Sequence, residues 1–120
     1  MHGINSDNVL QCFQRLAART PDRFAIRSGT ERLTYGQLDA IANSLRDRLA
    51  VIGVEKGTLA GVLLGRSLAA VISYLAVLKA GAAFVPLDPG MSEQYLLAIL
   101  RSHRVACIIL ILLLCSIFPR

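Results

Sequence analysis

No CxxC pair, no histidine at metal-ligand spacing and no run of basic residues occurs in this sequence. Three cysteines, Cys12, Cys107 and Cys115, form an odd count without a pairing pattern, which argues against a disulfide framework and a zinc site and leaves buried, reduced thiols as the expectation. The thirteen Lys and Arg, eleven of them Arg, outnumber eight Asp and Glu for a net charge of +5, yet they lie scattered among acids, as in Arg46-Asp47-Arg48. Without interleaved aromatics that pattern describes solvated faces and excludes a nucleic-acid surface. Met1 to Asp7 lacks a basic stretch followed by an apolar core, so no secretory signal and a cytoplasmic location are expected. Repeats and low-complexity linkers are also missing.

What is present is apolar surface. The 120 residues suit one domain with one modest core. An apolar fraction of 54% and a mean hydropathy of +0.54 exceed the roughly 45–50% apolar content of ordinary soluble domains. Some of that surface must therefore meet a membrane or lack its cover.

Periodicity divides the chain into alternating elements. Val9, Leu10, Cys12, Phe13, Leu16 and Ala17 recur at helical spacing over Asn8 to Arg19, with Asp7 as the N-cap and Pro21 beyond the end. Phe24 to Arg27 and Arg32 to Thr34 are strand-like, joined through Ser28-Gly29-Thr30-Glu31 as a hairpin. Thr34 and Gln37 have capping-box spacing before a helix with Leu38, Ile41, Ala42, Leu45, Leu49 and Ile52 as its apolar stripe and Gly53 as its stop. Leu59 to Leu64 is a continuous apolar run of strand length. Leu68 to Lys79 is apolar nearly all round, as only a helix packed on both sides tolerates.

Leu78 to Pro89 then reads as a helix end, a stop, a strand and a turn. Gly81 stands at the left-handed C-terminal position, Lys79 complements the helix dipole, and Pro86 lacks the N–H a central strand needs to continue. Asp88-Pro89 makes the exit turn. Ser92 caps the next helix with Glu93 in its first turn and with Leu96, Ile99, Leu100 and His103 on one side. Val105 to Leu110 is a third strand. Strand, helix, strand, helix, strand predicts two βαβ units, hence an α/β fold with a small hairpin and a parallel sheet joined by right-handed crossovers, with helices on both faces. Three strands with no more following make the sheet look truncated.

Two of these stretches carry a resemblance. Leu33-Thr34-Tyr35-Gly36-Gln37-Leu38 resembles the first core motif of the adenylate-forming enzymes, with Gln37 where the pattern has Glu. Leu78-Lys79-Ala80-Gly81-Ala82-Ala83-Phe84-Val85-Pro86-Leu87-Asp88-Pro89 resembles their second core motif, in the form typical of nonribosomal peptide synthetase adenylation domains. The likeness covers roughly Val9 to Leu110. Gly90-Met91-Ser92-Glu93-Gln94 departs from it by lacking a Pro and an Arg, and Ser102 stands where an Asp is common.

The resemblance implies a truncated N-terminal subdomain of the adenylate-forming (acyl-CoA synthetase/luciferase-like) fold. The complete family domain uses ATP and magnesium to activate an amino-acid or related carboxylate as an acyl adenylate, then passes it to a thiol. The phosphate-binding loop, substrate pocket and catalytic lysine of the family lie beyond both motifs. No catalytic, cofactor-binding or metal residue is therefore assigned, no cofactor is expected for this chain alone, and its natural partner is the remainder of an adenylation domain. Residues 1–104 are the partial domain, its strand continuing to 110, and 111–120 form an apolar tail unlike the family. A fragment of an acyl-CoA or fatty-acid ligase is an alternative, disfavoured by Asp88, where those relatives more often have Asn. A non-catalytic interaction or membrane-anchored module is another.

Other candidate residues have plainer readings. Gly61-Val62-Leu63-Leu64-Gly65-Arg66-Ser67 looks superficially like a phosphate-binding loop, but it is one residue short, has Arg for Lys, and is better used as a strand with a capped helix after it. Asp39 and Asp47 are expected to face water along their helix, Tyr35 and Tyr74 to pack, His103 to complement a helix dipole and His2 to lie in the terminus. The uncharged stretch Val105 to Phe118 is fourteen residues, against about 20 for a membrane span, so an anchor falls short unless Arg104 and Arg120 snorkel.

Overall fold

The computed structural model describes residues 6–65, 67–103 and 107–109. They run α1 (Ser6–Arg19), β1 (Phe24–Ser28), β2 (Glu31–Thr34), α2 (Tyr35–Val51), β3 (Leu59–Val62), α3 (Leu68–Lys79), β4 (Ala83–Pro86), α4 (Glu93–His103) and β5 (Cys107–Ile109). β1 and β2 form the expected antiparallel hairpin, with Gly29 at φ 62° in its turn. β3 is the middle of a three-stranded parallel sheet in the order β4-β3-β5. The two βαβ units are thus present. The segment 111–120 and the ends of the expected strand at Val105 and Leu110 lie outside the described residues.

The core is a layer of helices laid on one sheet face. α2 and α3 pack side by side, α1 closes over both, and α3 also touches β1, β3 and β4. That crowding explains why α3 tolerates apolar residues all round. Leu45, Leu49, Val54, Val62 and Val77 are fully buried, each such side chain stabilising the fold by roughly 1.5–3 kcal/mol. Among the described residues Ser73 is the buried polar one, and its hydroxyl donates to the Ala69 carbonyl one turn back at 2.8 Å. Ala60 and its register partner Phe84 face α3, since the Phe84 ring stacks on Tyr74 with centroids 4.4 Å apart. The alternate residues of β4 point the other way, where Ala83 is exposed and Val85 half-buried. In the order β4-β3-β5 the two crossovers run in opposite directions, so crossovers of one hand set α3 and α4 on opposite faces.

Four expectations need correction. α1 begins at Ser6, so Asp7 lies inside its first turn and is not the N-cap. Its inward face is narrower than the apolar spacing suggests: Phe13 and Ala17, one turn apart, are buried, whereas Val9 and Leu16 are exposed and Cys12 is an exposed free thiol. Only one side of α1 meets α2 and α3, and Cys12 lies about 100° round the helix from Phe13. Ile52 is half exposed, because it follows the last helical residue Val51 as the C-cap. β3 ends at Val62, two residues before Leu64, and Leu63 and Leu64 instead carry the chain towards α3.

Candidate functional site at the junction of the two motifs

The first motif is built by local hydrogen bonds. Gln37 N–H donates to Thr34 Oγ1 at 3.1 Å, and Thr34 N–H donates to Gln37 Oε1 at 2.9 Å. This reciprocal pair satisfies two donors at the start of α2, and an amide oxygen serves as well as a carboxylate, which accounts for Gln in this place. Gly36 makes a close approach. Its N–H donates to the Pro21 carbonyl at 3.0 Å, and a Cβ on it would stand 3.1 Å from that oxygen. Tyr35 packs as expected, its ring 6.0 Å from that of Phe13.

The second motif is a helix stop feeding an edge strand. Gly81, at φ 80°, donates to Leu78 O at 3.0 Å, and Ala82 N–H donates to Val77 O at 3.1 Å, the paired bonds of a Schellman motif. Among the described residues β4 is an edge strand, and Pro86 is its last residue, paired with Val62. Leu87 resumes the bonding, its N–H donating to Val62 O at 2.8 Å. Asp88 then accepts from Gly90 N–H at 2.8 Å through its carboxylate and from Met91 N–H at 3.0 Å through its carbonyl. Ser92 caps α4 as expected, accepting from Tyr95 N–H at 3.2 Å.

One ion pair joins the second motif to the residue that follows the first. Lys79 Nζ donates to Asp39 Oδ1 at 2.5 Å, with the lysine side chain 5% exposed and the aspartate 32%. The same ammonium lies 5.9 Å from the centre of the Phe13 ring, within cation–π range, and Phe13 in turn leans on Tyr35. Asp39 therefore does not simply face water. Asp47 does remain at the surface, paired with Arg46 at 3.0 Å. The Asp39–Lys79 partnership joins positions 40 residues apart, so no local spacing reveals it; the available signal was that each residue lies within or beside a motif. The junction holds three helices together, and no side chain in it is poised to attack or to transfer a proton.

The remaining candidates behave as structure. In the Gly61 to Ser67 stretch, Gly61 and Val62 belong to β3, and the Ser67 hydroxyl accepts from Ala70 N–H at 3.1 Å while donating to Leu64 O at 3.2 Å. That hydroxyl is fully engaged in capping α3. Arg66 lies outside the described residues, as do His2 and Cys115; His103 is the last residue of α4. An open groove of about 370 Å³ separates β1 from the start of α3, bounded by Ile26, Arg27, Ser67, Leu68, Val71 and Tyr74. Among the described residues no three His, Cys, Asp or Glu side chains converge, and no chemical step is assigned to any of them.

Residues 13–116 match the family model described as "AMP-binding enzyme". The chain belongs to the AMP-binding enzyme family. Among its relatives, a linear gramicidin synthase from Brevibacillus parabrevis is 44% identical over 101 residues, covering 84% of this chain and 1% of that protein. The N-terminal subdomain of Klebsiella oxytoca NpsA superposes with a TM-score of 0.78 at 28% identity, over 84% of this chain and 26% of that one. PA1221, a nonribosomal peptide synthetase protein containing adenylation and PCP domains, gives 0.78 at 27%, over 83% of this chain and 20% of that one. The chain thus spans a small part of each relative. The fold is that of an adenylate-forming N-terminal subdomain. These likenesses favour the peptide-synthetase reading over the acyl-CoA ligase and interaction-module alternatives. Among the described residues no helix is long and apolar enough to cross a membrane.

Proposed function

We propose that this chain supplies the opening portion of an amino-acid-activating adenylation domain, the ATP- and magnesium-dependent unit that forms an acyl adenylate for thioester formation in nonribosomal peptide synthesis. The observation that carries this reading is the pairing of the two motifs, in a family member whose relatives include peptide synthetases. The chain's own contribution is architectural: the Thr34–Gln37 box, the Gly81 stop and the Asp39–Lys79 pair hold the scaffold. Its partner is the remainder of such a domain. Alone, it is expected neither to bind ATP tightly nor to form an adenylate, because the family's phosphate-binding loop and catalytic lysine lie beyond both motifs. The division into a partial domain over 1–104, a strand continuing to 110 and a divergent apolar tail over 111–120 belongs to the same proposal; the family match runs to residue 116.

Replacing the matching segment of PA1221 with residues 13–109 of this chain tests the reading. The fused chimera is expected to retain amino-acid-dependent ATP–pyrophosphate exchange within about tenfold of its parent, roughly 1.4 kcal/mol in the barrier. The isolated chain is expected to show none. A folded but inactive chimera, or exchange catalysed by the isolated chain, would overturn the proposal.

A further inference from the structure

The groove beside α3 has a helix face for one wall and a strand edge for the other. Leu68, Val71 and Tyr74 repeat every third residue, so they stand within about a third of a turn of one another on α3 and line the groove together. Across from them, Ile26, Arg27 and Ser28 are consecutive residues of β1. Successive strand side chains point to opposite faces. A groove bounded by all three therefore runs along the edge of β1. Among the described residues β1 pairs with β2 alone, so the N–H and C=O groups on its other edge have no strand partner. Ile26, Leu68, Val71 and Tyr74 are half-buried there.

We propose that this groove is the seat of the chain's own segment Ile111 to Phe118, laid along β1 as an added strand. Its composition matches the site. The segment is uncharged, and the Cys115 thiol and Ser116 hydroxyl are its only polar side-chain groups, so it suits the apolar face of α3. An extended backbone supplies the donors and acceptors that the β1 edge lacks. The starting point of the segment is also right. β5 runs parallel to β3 with Ile109 opposite Val62, so the chain leaves both strands at the same end of the sheet. Three residues lead from Val62 to Gly65, which borders the groove. Neighbouring strands about 4.8 Å apart and about 10 Å of extended chain place that border within about 15 Å of Ile109. Leu110 to Phe118 reaches about 30 Å when extended. A tethered segment acts at a millimolar effective concentration, which favours it over an outside peptide of equal fit. Arg27 is exposed and keeps its guanidinium in water beside the docked segment. This self-docking closes the groove to other proteins, and it stands apart from the functional reading above.

The test follows the Cys115 thiol in the full chain, with exposed Cys12 as an internal reference. Maleimide labelling resolved by mass spectrometry is expected to modify Cys115 at least tenfold more slowly than Cys12 in buffer, and within about threefold of it in urea. Leu68→Asp puts a carboxylate into the groove at the start of α3, where the helix dipole tolerates it, and should raise the Cys115 rate at least tenfold. Val51→Asp, at a position 86% exposed at the far end of α2, should leave that rate unchanged. Circular dichroism checks that each variant keeps its helix content. The double variant Leu112→Asp, Leu113→Asp alters no described residue and provides a second probe should Leu68→Asp unfold. It is expected to speed hydrogen exchange of the β1 amides at least tenfold. A Cys115 thiol as reactive as Cys12 would overturn the proposal, as would protection that a folded Leu68→Asp variant does not lift. Unchanged β1 exchange in the double variant would overturn it too. Protection that grows with protein concentration would make a second copy the occupant, and protection that requires phosphatidylcholine vesicles would make it a membrane; either result overturns self-docking.

Discussion

The Lys79 ammonium is held between the Asp39 carboxylate at 2.5 Å and the face of the Phe13 ring at 5.9 Å, so one nearly buried cation ties α3 to α2 and α1. Removing one member of such a pair is worse than removing the charge that needs it. Asp39→Asn strands a buried ammonium and is expected to lower unfolding free energy by about 2–3 kcal/mol, below the usual range for buried pairs because Asp39 is a third exposed. Lys79→Met keeps the apolar stem and is expected to stay within about 1 kcal/mol of the parent. Urea unfolding midpoints decide the matter, and equal losses for the two variants would contradict it.

Gly81 is set by its backbone. At φ 80° an L side chain is strained, so Gly81→Ala is expected to cost about 1–2 kcal/mol. Its lowered midpoint should come with an unchanged denaturant slope, the sign that the fold itself is retained.

The capping box gives a prediction of opposite sign for two substitutions. Thr34→Ala removes the acceptor for Gln37 N–H and should destabilise by about 1 kcal/mol. Gln37→Glu keeps the acceptor for Thr34 N–H and adds a negative charge near the start of α2, worth about 0.3–1 kcal/mol of stabilisation at low salt. Thermal melts at low and high salt separate the two, because only the second effect is screened.

The thiol of Cys12 is exposed. It should react with a maleimide in the native state as quickly as in urea, and Cys12→Ser should change stability by less than about 0.5 kcal/mol. Protection of this thiol until unfolding would place Cys12 inside the core.

The hairpin, the capping box, α3 and the Gly81 stop were legible because each depends on residues a few positions apart. The parallel sheet was legible from the alternation of elements, although its order with β3 in the middle was not. What escaped were properties decided by distant neighbours. Cys12 and Leu16 lie in an apolar pattern, yet only the side holding Phe13 and Ala17 meets α2 and α3. Asp39 has the spacing of a solvated carboxylate and becomes half-buried because Lys79 arrives from another helix. The motif residues could be recognised before their roles, since both motifs consist of caps, stops and close approaches.

The central position of β3 bears on the order of assembly during synthesis. Its partners are both made later: β4 follows after α3, and β5 after α4. A nascent polypeptide leaving the ribosome can close the β1–β2 hairpin and wind α2 at once, but Leu59 to Val62 can pair on one side only when Ala83 to Pro86 has emerged, and its other edge must wait for Cys107 to Ile109. An uncharged strand is thus completed last, and the interval before that moment is when this polypeptide is most open to pairing with the wrong neighbour.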